Sequence, residues 1–323
     1  MATSGERSRT VSVHTGDALG RYGFGGDHPF GADRLHAFWD EMYRRQLDYQ
    51  VRVFEPVSAS IEELELFHDR SYVERVRTCS ISGDGMLDYG DTPAYKGVYE
   101  AASNVVGSVL DATHRIMNGE VRRAFVPIAG LHHGQPDTAS GFCVFNDCAV
   151  AIRVLEQRYG LRRVAYVDID AHHGDGVFYP FEEDPSVIIG DIHEDGRYNF
   201  PNTGFDHETG KGVASGTKLN VPLLPGAKDP QFHEAWAKVE AFLDGWKPQF
   251  ILFQCGADGL AGDPLAHLLF TSSCHRLAAT SLCRIAEEHA DGRILATGGG
   301  GYDLHNVGKA WSAVIEAFLQ APM

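Results

Sequence analysis

Residues 167–176 read VDIDAHHGDG, where an apolar run breaks into aspartates, an adjacent histidine pair and glycines. Asp170 and His172 stand two apart at the end of this strand-like run. Side chains alternate along a strand, so positions i and i+2 share a face. A carboxylate and an imidazole on one face are two ligands for a divalent metal ion. Asp258, at the end of the run FILFQCGAD, is the natural third. Such a set leaves a coordination position open for water, as a hydrolytic metal site requires. An isolated aspartate–x–histidine reads more simply as a helix cap and a packed ring. Four other polar loops in this chain favour the metal reading.

His132 and His133 form another adjacent pair. Histidine can take or give a proton near neutral pH. Each ring needs a carboxylate to fix its tautomer, and Asp168 and Asp175 flank the metal pair. The stretch GGGGY, residues 298–302, allows close backbone approach and turns Tyr302 inward. A phenol there can donate a hydrogen bond to a developing oxyanion. No lysine or serine/threonine of a phosphate-binding loop follows, so a phosphate cradle is discounted.

Strand-like and helix-like runs alternate around these loops. Strands are expected at RTVSVH, YQVRVFEP, RRAFVPI, RRVAYVDI, SVIIGDIH, KLNVPL, PQFILFQCG and RILATGG. Helices are expected around GADRLHAFWDEMYRRQL, SIEELELF (with a capping box from Ser60 to Glu63) and YKGVYEAASNVVGSVLDATHRIM. Four more follow, at NDCAVAIRVLEQRY, DPQFHEAWAKVEAFL, CHRLAATSLCRIAEEHA and NVGKAWSAVIEAFL. Continuously apolar strands alternating with helices predict an α/β fold, a parallel sheet covered on both faces. Ligands of such sheets bind beyond the carboxyl ends of the strands, where the histidine, aspartate and glycine cluster. The chain, residues 1–323, reads as one domain, with residues 1–9 as a flexible tail.

The formal charge is 28 − 44 = −16, which argues against a nucleic-acid surface and is compatible with cationic substrates. No apolar run approaches the ~20 residues of a membrane helix, and MATSGERSRT has no secretory core. The six cysteines form no CxxC pair and several sit in apolar contexts, which fits a reducing compartment such as the cytoplasm. Oligomeric state is left open.

The motifs GLHHGQPDTASGFCVFND, VDIDAHHGDGV, GADGLAGDPL and GGGGY together resemble the zinc-dependent histone deacetylase family, with its acetoin-utilisation-type deacetylases and acetylpolyamine amidohydrolases. The similarity runs from HPFGADRL to the last helix. It implies a single arginase-like α/β domain with a central eight-stranded parallel sheet. It implies Asp170, His172 and Asp258 as ligands of Zn(2+), with Fe(2+) or Co(2+) as options for so hard a set. It makes His133 general base and then general acid, His132 its electrostatic partner, and Asp168 and Asp175 the supporting carboxylates. Tyr302 becomes the oxyanion donor. Gly141, Phe142, Phe200 and Leu265 would line a tunnel, Asp91 would hold the substrate backbone at its rim, and Arg34 would stand at its inner foot.

The expected reaction is hydrolysis of an acetyl or short acyl amide, on acetyl-lysine peptides or on acetylpolyamines and other small acylated amines. A catalytically silent binding protein would be expected to lack one of these residues, and none is missing. Binuclear ureohydrolases of the same fold need further carboxylates, where this chain has Gly174 and Leu260. A structural K(+) or Na(+) is expected among Asp168, Asp170, His172, Asp191 and Ile192. Family members that bind potassium usually carry serine at the position of Asp191. The aspartate could bind such an ion more tightly, or pair with a basic side chain instead.

Overall fold

The computed structural model describes residues 11–322. The expected N-terminal tail and the first two residues of RTVSVH lie outside the described residues. Eight strands form one sheet: β1 (Val11–His14), β2 (Arg52–Phe54), β3 (Arg123–Val126), β4 (Val164–Asp168), β5 (Val187–Glu194), β6 (Lys218–Leu223), β7 (Phe250–Gln254) and β8 (Ile294–Thr297). Their order is β2-β1-β3-β8-β7-β4-β5-β6, and every pairing is parallel. Strands β3, β4, β5, β7 and β8 are buried at every residue, which explains why β4, β7 and β8 are largely apolar without alternation. The edge strand β2 is partly exposed throughout.

Helix Leu304–Gln320 packs on both Arg34–Arg44 and Ser272–His289, and Val98–Met117 packs on both Arg70–Ser82 and Asp147–Gln157. Local chemistry sets several boundaries. Ser60 and Glu63 form the expected capping box, although its helix is short, Ile61–Leu64. Asn146 and Asp303 cap two other helices by accepting from the N–H of Ala149 and of Asn306. No element was read from residues 70–82, which form a helix burying Tyr72, Val73, Val76 and Ser80. So few apolar positions among charged ones give a weak helical stripe.

The row of residues that ends the apolar body of the sheet bears directly on function. Val126, Thr297, Gln254, Asp168, Asp191 and Asn220 are register partners across six adjacent strands. Five of the six are polar, and all are buried. The loops that follow therefore start from a polar platform at the carboxyl edge. Among the described residues, no helix is long and apolar enough to cross a membrane.

The small-residue helix Val98–Met117 is packed as closely as its composition suggests. A Cβ on Gly107 would stand 2.2 Å from the Val57 carbonyl oxygen and 2.4 Å from the Ala59 nitrogen. Both obstacles are backbone and cannot swing away. Alanine gains ~1 kcal/mol of helix propensity over glycine, but overpacking typically costs about 1–3 kcal/mol. Gly107→Ala should therefore lower the thermal unfolding midpoint. An unchanged or raised midpoint would show that this contact is not tight.

Candidate active site

Asp170 and His172 come together through a turn, not through strand alternation. Strand β4 ends at Asp168, and beyond it the His172 N–H donates to Asp170 Oδ1 at 3.0 Å. Asp258 likewise lies four residues past the end of β7, not on it. The reading of these residues as strand-borne is corrected, while their convergence holds. His172 Nδ1 is 3.1 Å from both Asp170 Oδ1 and Asp258 Oδ2, and all three residues are buried. Their ligand atoms lie close enough together to hold a metal ion.

The other carboxylate oxygens are spoken for. Asp170 Oδ2 accepts from Gln254 Nε2 at 2.9 Å and from the Gly300 N–H at 2.8 Å. Asp258 Oδ1 accepts from the Ala171 N–H at 2.8 Å. One oxygen of each carboxylate is thus anchored, and the other faces His172. Two buried carboxylates directed at one imidazole nitrogen suit a divalent cation, which would relieve their mutual repulsion. Asp244, Glu288 and His289 also lie within ligating reach of one another. Arg284 already pairs with both of those carboxylates, at 2.7 and 3.1 Å.

The histidine pair takes the partners expected for it. His132 Nδ1 is 2.7 Å from Asp168 Oδ2, and His133 Nδ1 is 2.6 Å from Asp175 Oδ1. The Tyr166 hydroxyl also donates to Asp168 Oδ2. The two rings differ in charge. Burial pulls His132 down, but Asp168 and Asp170 outweigh it and hold the ring up at about 10. Burial and then the charge on His132, its ring 4.0 Å away, push His133 down to about 4 despite Asp175. The two adjacent rings are thus pushed in opposite directions.

His133, His172 and Tyr302 line a cavity of about 190 Å³ together with Asp91, Gly141, Phe142, Asn199, Phe200 and Leu265. The rings of Phe200 and His133 are 5.0 Å apart, and those of Phe142 and Tyr302 are 5.9 Å apart. Gly141 must be glycine here, since a Cβ would meet His133 and Phe200 within about 3 Å and its φ is +50°. Asp91 sits on a loop bound by Asp88 Oδ1, which accepts from the N–H groups of Gly90, Asp91 and Thr92. Arg34 does not line the cavity. It is buried, and donates to the carbonyls of Gly301 at 2.9 Å and Gly299 at 2.5 Å. It thus braces the glycine loop from behind. A larger cavity of about 670 Å³ lies beside the C-terminal helix and contains none of these residues.

Sequence reasoning missed several contributors. Gln254 anchors Asp170, and Asp263 Oδ2 accepts from the Tyr302 N–H at 2.8 Å. Asp147 accepts from the N–H groups of Gly130 and Leu131 and so fixes the loop leading to the histidine pair. Asn199 was overlooked as a wall residue. Asp147 and Asp263 lay inside quoted motifs, so only their partners were hidden. Asp191, expected among cation ligands with Ile192, pairs with His193 at 2.6 Å.

The chain matches the model of the histone deacetylase domain over residues 28–318. It is 38% identical over 308 residues to the acetoin utilization protein AcuC of Bacillus subtilis (strain 168), covering 91% of this chain and 78% of that protein. It is 34% identical over 325 residues to the AcuC of Staphylococcus aureus (strain MSSA476), covering 98% and 83%. Among solved structures it resembles the HD domain of HDA15, with a TM-score of 0.89, 26% identity, and 97% and 88% of the two chains covered. With its motifs, its all-parallel eight-stranded sheet and these similarities, the chain belongs to the histone deacetylase family.

Proposed function

We propose that the chain, as one catalytic domain, is a metal-dependent deacylase that removes acetyl or another short acyl group from an amine, with acetyl-lysine as its principal substrate class. Zinc is the proposed ion, with Fe(2+) or Co(2+) as alternatives, and Asp170, His172 and Asp258 would hold it. Bound there, the ion would supply Lewis acidity toward a water and a carbonyl oxygen. The observation that carries the reading is the convergence of Asp170, His172 and Asp258 beside two histidines that are each paired with an aspartate.

The chain's own groups then have distinct tasks. His133, neutral and oriented by Asp175, takes a proton from the attacking water and returns it to the departing amine nitrogen. His132, charged against Asp168, keeps its neighbour neutral and offsets the negative charge that develops. Burial first, then Asp258 and Asp170, hold the Tyr302 phenol well above its ordinary value, so it stays a donor to the carbonyl oxygen. Phe142 and Phe200 offer an apolar slot for an alkyl chain, and Asp91 offers an acceptor to an amide N–H at the mouth. The products are a short carboxylic acid and a free amine. Six unpaired cysteines fit a reducing compartment, and the cytoplasm is the proposed location.

Metal-loaded protein should hydrolyse acetyl-lysine peptides faster than acetylputrescine, acetylspermidine or longer acyl-lysines. No hydrolysis of any of them, with the metal confirmed bound, would contradict the reading. Faster turnover of an acetylpolyamine would reassign the substrate class. Tyr302→Phe should lose ~10²–10³ in kcat with an unchanged unfolding midpoint. His133→Ala should lose roughly 10²–10⁴. Full activity in either variant would remove that residue from the mechanism.

The pH dependence follows from the direction of the His133 shift. A depressed value means the base form is lost only on acidification through about 4. The acid limb of kcat/KM should therefore fall below the ordinary histidine value of about 6.5. A limb centred above that value would contradict a neutral, buried base.

A further inference from the structure

Asp168 and Asp191 are register partners on β4 and β5, so two fully buried carboxylates stand side by side. The resemblance implies a serine at the second position, next to a monovalent cation. Here a negative charge replaces a neutral hydroxyl, and that charge already has a partner. Asp191 Oδ1 is 2.6 Å from His193 Nδ1, and Asp191 Oδ2 accepts from the Gly174 N–H at 3.0 Å. The other ring nitrogen, His193 Nε2, is 2.8 Å from the Gly204 carbonyl oxygen. Both nitrogens of His193 therefore face acceptors. A neutral imidazole has only one N–H, whereas an imidazolium satisfies both contacts. Gly204 lies directly against the ring, since a Cβ there would stand 2.5 Å from Nε2.

The Asp168 oxygens are engaged as well. Oδ1 accepts from the Asp170 N–H at 3.0 Å, and Oδ2 is shared by His132 and Tyr166. We propose that the Asp191–His193 ion pair takes the place of the monovalent cation, so that this chain needs neither potassium nor sodium to hold β4 and β5 together beneath the active site. The pair sits on the strand itself, with its carboxylate tied to the loop after β4 and its imidazolium tied to residue 204. It thus joins the same segments that an ion would bridge. A further cation would meet an imidazolium instead of an unbalanced carboxylate, and would be repelled.

The test is thermal unfolding of the metal-loaded protein in potassium, sodium and choline chloride at equal ionic strength. The expected result is one midpoint in all three salts. A cation site filled to about a hundred times its Kd would raise the midpoint by roughly 3–6 °C. A midpoint that climbs with potassium over choline would overturn the proposal. Asp191→Ser restores the neutral residue and should unfold earlier in choline, with recovery on adding potassium. A serine variant as stable as the parent in every salt would also count against the pair. If that variant fails to fold, His193→Gln removes the imidazolium and should lower the midpoint equally in all three salts. An unchanged midpoint for His193→Gln would overturn the proposal, and the parent's salt series stands independently of both variants.

Discussion

Two buried carboxylates, Asp170 and Asp258, converge on a single nitrogen of His172. Bringing like charges together in a buried site is unfavourable unless a cation joins them. Much of the surrounding architecture serves to hold them there. Each carboxylate has one oxygen fixed, by Gln254 and Gly300 for Asp170 and by Ala171 for Asp258. The backbone must come very close to do so. A Cβ on Gly256 would stand 2.1 Å from Asp170 Oδ2, and one on Gly300 would stand 2.2 Å from Asp258 Oδ2. Only glycine leaves room for the backbone to pass this close to the carboxylates. Arg34, buried behind the same loop, binds the carbonyls of Gly299 and Gly301 and fixes its path.

The same constraint gives the histidine pair its asymmetry. His132 faces Asp168 and lies 3.9 Å from Asp170 Oδ1, so two carboxylates act on it. His133 is one residue further along, beside Phe200 and open to the cavity, and feels the positive charge of its neighbour. Two adjacent residues of one type are thus pushed in opposite directions by their surroundings. The difference comes from the platform of register partners at the carboxyl edge of the sheet, not from the rings themselves.

Much of this was legible in the sequence. The apolar strands, their alternation with helices and the polar loops after them announced a parallel sheet with its site at the carboxyl edge. The converging triad, the two histidine–aspartate pairs and Tyr302 were legible because each sits in a short motif that contains glycine. The route to convergence was not. Asp170, His172 and Asp258 lie past their strands, and turns closed by side-chain hydrogen bonds leave no periodic signal. Gln254 and Asp263 act on the site from a strand and a loop, and only their three-dimensional partners reveal it. The helix at residues 70–82 was missed because its charged residues hide a narrow apolar stripe.

The central claim is a site for one divalent ion, built from two carboxylates and one imidazole. Its most direct test is the number of zinc ions bound tightly per chain, by calorimetric titration of the metal-stripped protein. One ion per chain, lost in Asp258→Ala, is the predicted result. A tight stoichiometry of zero or two, or one ion retained in Asp258→Ala, would contradict it.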